Sequence, residues 1–476
     1  MMVASETRSQ GRLEKYWTTG LVGAGLIAAS LLAFRFPFPA LICVLAVIGL
    51  AVAVRSPSYV LFLYAGTSIL FFQASLASGV AISAPFAAGA LFVVATVLHV
   101  LVTRSPGRLH SFLPGALLVL AIALTFNALA KIEWTRSHPR GLITLWALCA
   151  ATFCVPQVLR DPKSAWRLGT VLVLGATAIS LVGVYESATG QYNLFGFFSG
   201  SPEGRAYGLA DPNYTAAMLV TLFPFLVAHF VCAGSALARA LAVWGIALSL
   251  VALAATASRG GMVGLVVTIL AILLLVSPKR GTESSDHQFP RIRAWIPRRM
   301  VLIPVLAVCF GVAVSFAPGL LWERLSTLQD WSHPEEVQGS RVGLWFDYVE
   351  RWRESPWWGH GPGYLDPALI GQSTQFPHNT PLEVLVEVGL IGFVPFLLLN
   401  GVAFAEALKA RKRFGQRGEY RLSTLSGAVA ASLIGFHSTA FFLTSFAHKE
   451  LWLLLGFAAA LHSLSWRQDA SLTGSL

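Results

Sequence analysis

The chain has 476 residues, 55% of them hydrophobic and 12% charged, with a formal net charge of +11. A soluble protein of this size carries about twice that share of charge, so a soluble fold is excluded. The positive charge lies in the loops between apolar runs and follows membrane topology, which argues against a nucleic-acid binder.

Apolar runs of roughly 16 to 21 residues recur along the chain, the length a helix needs to cross a bilayer core. Fourteen candidate spans begin near residues 17, 39, 58, 84, 112, 141, 168, 213, 237, 261, 300, 382, 423 and 450. The fold class expected is an all-α polytopic membrane bundle of about 12 to 14 transmembrane helices over 1–476. The first run follows Arg8, Arg12 and Lys15 and lacks a small-residue cleavage site, so it reads as retained. Cys43, Cys149, Cys154, Cys232 and Cys309 all lie inside apolar runs, as small core residues do.

Loop charge sets the orientation. With the N-terminus inside, 23 of the 34 Lys and Arg fall on the cytoplasmic side and 11 outside. The loops 277–299 and 405–422 carry six each, both inside, as the positive-inside bias requires. Three polar regions then share the outer face: 185–212, the turn "TASRGG" at 256–261, and the large loop 317–381. A long polar loop in so apolar a chain marks the place to look for function.

Several residues there could carry chemistry. Arg205 precedes "DPNY", where Asp211 reads as a helix N-cap and Pro212 as the first helical residue, followed by Asn213. Arg205 is either an anion ligand or a solvated loop charge. Arg259 closes two apolar runs and either snorkels to the interface or binds an anion. Arg341 opens "RVGLWFDYVERW", in which Trp345, Tyr348, Val349 and Trp352 share one helical face. That pattern predicts an amphipathic helix lying on the membrane surface, with Arg351 pairing to Asp347. His333 and His360 lack a helix-start setting and read as structural.

His378 stands before "NTPLE", which predicts a helix with Thr380 as cap, Pro381 first and Glu383 in the first turn. The positive end of that helix disfavours imidazolium and suits a neutral general base. It is also a natural seat for phosphate oxygens. Asn379 either orients the histidine or the acceptor, or serves turn chemistry alone. The chain has no Walker loop, HExxH, Asp-x-Asp or GxSxG sequence, so neither a cofactor nor a metal is expected. Outer arginines with one histidine suit a substrate that brings its own diphosphate, which Arg grips bidentately.

The order "GLADPNY", "SRGG", "GSRVGLWFDYVERWRESPWWGHGPGY" and "HNTPLEVLVEVGLIG" resembles the O-antigen ligase / O-antigen polymerase superfamily over roughly 205–400. That resemblance implies a GT-C-type glycosyltransferase of the bacterial inner membrane with its site facing the periplasm. Such enzymes take a glycan from undecaprenyl diphosphate and pass it to an acceptor sugar hydroxyl, with inversion and without metal. It implies His378 as the catalytic histidine and Arg205, Arg259 or Arg341 as diphosphate ligands. None of the outer arginines has a glycine eleven positions on, a pattern frequent in the polymerases. With one dominant outer loop, this favours a ligase-like protein acting on lipid A-core, the alternative being a polymerase acting on a growing glycan. A secondary transporter is the rival from another class.

Overall fold

A computed structural model describes residues 49–70, 84–103, 110–130, 137–192, 204–209, 211–276, 319, 341–364 and 376–473. The side chains of 137–140, 341–342 and 467–473 are outside that description. Among the described residues twelve helices follow one another: α1 Pro57–Leu70, α2 Ala84–Thr103, α3 Leu113–Ala130, α4 Ser137–Val158, α5 Pro162–Thr189, α6 Pro212–Val231, α7 Ala236–Ala255, α8 Arg259–Leu275, α9 Arg341–Glu354, α10 Thr380–Gln416, α11 Tyr420–Ala440 and α12 Lys449–Thr473. No strand occurs among the described residues. Seven of the helices are long and apolar enough to cross a membrane, with α1 and α8 shorter apolar helices. The chain is a polytopic helical membrane protein. The candidate spans near 17 and 300, the loop 277–299 and His333 lie outside the described residues.

Local chemistry starts these helices, and at Asp211 it does so where the sequence expects. Asp161 caps α5, its carboxylate accepting from Ser164 N at 2.9 Å ahead of Pro162. Asp211 does the same for α6, accepting from Asn213 N at 2.9 Å. Ser235 and Ser258 cap α7 and α8. The α5 helix stops at Gly190, whose φ of +69° supplies the left-handed residue that ends a helix.

Helix α6 is the hub, packed by α5, α7, α8 and α11 and buried along nearly its whole length. Helices α10, α11 and α12 complete the interior. Helices α2, α3, α7 and α8 instead expose Leu101, Leu118, Leu241 and Leu274, the face a hydrocarbon solvent accepts without penalty. Small residues let α8 cross α11 closely: a Cβ on Gly264 would stand 2.4 Å from Thr439 Cγ2, and one on Gly427 2.0 Å from the Leu275 carbonyl oxygen.

The two ends of the bundle differ chemically. At one end Glu406 accepts from Ser111 Oγ and Phe112 N at 2.9 and 2.7 Å. There Arg411 binds Leu275 O, Arg417 binds Ser465 O, and Arg421 lies over Trp166. The basic segment 405–422 thus ties together the start of α3, the start of α5, the end of α8 and the latter part of α12. The polar regions at 204–209, 256–261 and 376–383 all lie at the other end.

Three expectations change. The helix cap before α10 is Asn379, not Thr380: Asn379 Oδ1 accepts from Leu382 N at 3.0 Å and Thr380 is already helical. Helix α9 forms as expected, but its aromatic face is turned to protein. Tyr348 is buried against Val386, with Trp352, Tyr364, Phe376 and Leu382 around them. Burial raises the Tyr348 phenol above its ordinary pKa, against the lowering effect of Arg351. Arg351 sits over the Tyr348 ring at 5.5 Å, and it is Arg353 that pairs with an acid, Glu350 at 2.6 Å.

Candidate active site

Four segments meet at the end opposite the basic one. The first is 204–209. Buried Glu186 of α5 accepts from Tyr207 N and Gly208 N, both at 2.7 Å, and Ala206 N donates to Ala255 O at 2.9 Å. These bonds fix Arg205, which is 8% exposed and so is not the solvated charge that its loop position allowed. Its Nε donates to Thr256 O at 2.8 Å and its Nη2 to Asn213 Oδ1 at 2.9 Å.

The second segment is the turn from α7 to α8. Ser258 Oγ donates to the same Asn213 Oδ1 at 3.1 Å and also caps α8 through Gly261 N at 3.2 Å. Arg259, next in sequence, is exposed at the first position of α8. The glycines of "SRGG" are needed for close approach. A Cβ on Gly260 would lie 2.9 Å from Phe442 Cβ, and one on Gly261 2.6 Å from Ala216 Cβ. Arg205, Asn213 and the "SRGG" turn therefore form one unit.

The third segment holds His378. Trp345 of α9 donates to Pro377 O at 2.9 Å and packs edge-on against Phe441 at 5.6 Å. His378 is half-buried with φ +46°, left-handed for a residue with a Cβ. Among the described residues only Ala257, at φ +48°, shares that conformation without being glycine. Both residues stand one position before the cap of a site helix, and held backbone strain of this kind gathers at functional sites.

The fourth segment, 441–448, had no signal in the sequence because its "FFLTSFAH" reads as one more apolar stretch. It joins the other three. Thr380 Oγ1 donates to Leu443 O at 2.7 Å, and Ser445 N donates to Thr380 Oγ1 at 2.9 Å. The buried Glu383 carboxylate accepts from Ser445 N and Phe446 N at 2.9 and 3.1 Å. On the arginine side, Tyr214 Oη donates to Thr444 O at 3.0 Å, and its ring lies 5.0 Å from that of His448.

Helix α10 is broken at Gly389 (φ +59°, ψ −170°), and segment 355–361 docks on the break. His360 N donates to Val386 O at 2.8 Å, Gly361 N to Glu387 O at 2.7 Å, and Leu390 N to Pro356 O at 2.9 Å. Asn127 of α3 donates to Trp358 O. His360 is held by Arg351 O at 2.8 Å and stacked on Tyr364.

Some sequence expectations gain from this geometry and others lose. Asp211 and Asn379 act as caps, and the Asn379 oxygen is committed to Leu382 N. Glu383 stands in the first turn of α10 with its carboxyl engaged by Ser445 N and Phe446 N. Arg341 opens α9, but its side chain lies outside the described residues. Glu186, Thr256 and Ser258 were missed. Of these only Ser258, a serine before a helical run, carried a readable cap signal.

A model of the O-antigen ligase family matches residues 244–397, which include Arg259, His378 and Asn379. The O-antigen ligase of Pseudomonas aeruginosa is 24% identical over 334 residues, covering 68% of this chain and 72% of that protein. This all-helical membrane bundle is thus similar to O-antigen ligases over the region that carries these segments, and both matches support a relation to that superfamily.

Proposed function

We propose that this membrane enzyme is a glycosyltransferase of the O-antigen ligase type. It moves a glycan from undecaprenyl diphosphate to a sugar hydroxyl of lipid A-core, on the periplasmic face of the bacterial inner membrane. His378 takes the proton of the acceptor hydroxyl, whose oxygen attacks the anomeric carbon. The bond from that carbon to the diphosphate oxygen breaks in the same displacement, which inverts the configuration. Arg205 and Arg259, with Arg341 as a third candidate, offset the charge growing on the leaving diphosphate. No metal is assigned to the step.

One observation carries this reading. Segment 441–448 binds the helix start beside His378 through Thr380 and Glu383, and binds the arginine unit through Tyr214. Base and anion ligands thus belong to one braced end of the bundle, as a single displacement requires.

The broken helix α10, with Glu383 and Glu387 buried beside the break, is a feature that transporters also use. Here the freed backbone groups bind segment 355–361 of the same chain rather than lining an open path, which favours the enzyme. A polymerase would use the same groups with a growing glycan as acceptor.

The test is glycan transfer from undecaprenyl diphosphate to lipid A-core in detergent, with EDTA present. His378→Ala should lose about 10²–10⁴-fold in rate, the worth of a positioned base, while protein level and donor binding persist. Wild-type rates in that variant would remove the base from the mechanism. Activity lost only on adding EDTA would assign the step to a metal.

A further inference from the structure

At the basic end, far from the candidate active site, a cavity of about 520 Å³ opens between the start of α3, the end of α10 and α12. Its lining includes His110, Lys409, Arg413 and His462, with Phe112 and Trp466. Among the described residues no carboxylate lines it, and the nearby Glu406 is engaged by Ser111 Oγ and Phe112 N. Trp466 organises the wall. Arg413 lies over its ring at 3.7 Å, its Nε1 donates to His462 Nε2 at 3.3 Å, and the His110 ring meets it edge-on at 5.6 Å. Stacking holds the Arg413 guanidinium in place before any ligand arrives.

The position matters as much as the charge. His110 and Phe112 stand just ahead of α3, a helix apolar enough to span, and Phe112 and Trp466 are exposed. Aromatic side chains at span ends mark the level of lipid headgroups. A cavity there, with the cations Lys409 and Arg413 in its wall and open between helices, matches the chemistry that holds phosphate-bearing headgroups.

We infer that this cavity is a binding site for a phosphate anion, carried on the headgroup of an anionic membrane lipid. The site serves lipid contact at the basic end and takes no part in glycan transfer. It does not depend on the ligase reading, because none of its residues belongs to the active-site end.

The full chain is purified in detergent and mixed with phosphatidylglycerol or phosphatidylcholine, and retained lipid is counted by native mass spectrometry. Wild type should retain phosphatidylglycerol in preference, and Lys409→Gln/Arg413→Gln should lower that retention about tenfold. His110→Gln, an exposed change before α3 that does not threaten folding, should lower it by a smaller factor. Lys163→Gln/Arg239→Gln removes two exposed cations of the same end outside the cavity and should leave retention unchanged. A parallel arm adds inorganic phosphate. Phosphatidylglycerol that stays bound assigns the lipid source, and displacement with phosphate retained assigns a free anion at the same site. Equal retention in wild type and both cavity variants, or equal loss in the control pair, would overturn the site.

Discussion

Arg205 and Asn213, eight residues apart, are joined by a hydrogen bond of 2.9 Å, and the same Asn213 oxygen accepts from Ser258 at 3.1 Å. One side-chain oxygen thus sets the position of a buried arginine and of the turn that presents Arg259. Asn213→Ala should leave buried donors unsatisfied and lower stability by about 1–3 kcal/mol, with a loss of transfer that tracks Arg205→Ala. Arg205→Lys should cost at least about tenfold in transfer, because an ammonium cannot reproduce the planar fork. Full activity in Arg205→Lys at wild-type expression would remove Arg205 from the diphosphate grip.

Glu383 anchors segment 441–448 through two backbone N–H groups. Glu383→Ala strands both and should destabilise the protein by about 2–4 kcal/mol, read as thermal aggregation in detergent. Glu383→Gln keeps an acceptor oxygen in the same place and should retain most of that stability. Equal damage in the two variants would show that the charge, not the anchoring, matters.

Gly389 cannot be replaced. Its backbone conformation is open essentially to glycine alone, and a Cβ there would stand 2.4 Å from Trp357 O and 2.6 Å from Gly359 N. Gly389→Ala should cost at least about 3 kcal/mol and free the segment 355–361 from α10. Limited proteolysis in that segment measures this directly. Unchanged cleavage would show that the break tolerates a side chain.

Orientation can be read by labelling. Ala447 and Gln416 are exposed at opposite ends of the bundle. In a background without the native cysteines, Ala447→Cys should react with an impermeant maleimide in intact spheroplasts. Gln416→Cys should react only after the membrane is breached. The reverse pattern would place the candidate active site in the cytoplasm and overturn the proposed function.

Sequence alone determined the class, most helices and the chemical asymmetry of the two ends. Span length follows from bilayer thickness. Helix starts follow from local caps, so "DPN" announced α6 without reference to the rest of the chain. Arg205, Arg259 and His378 were legible because a polar side chain in an apolar chain is conspicuous. Tertiary structure decided what no window of sequence contains. It turned the aromatic stripe of α9 from the lipid to α10, because Val386 and Leu382 offered it a protein surface. It buried Arg205 through partners eight and 51 residues away. It also brought in segment 441–448, whose role rests on backbone hydrogen bonds to Thr380, Glu383 and Tyr214, and backbone groups are the same in every sequence.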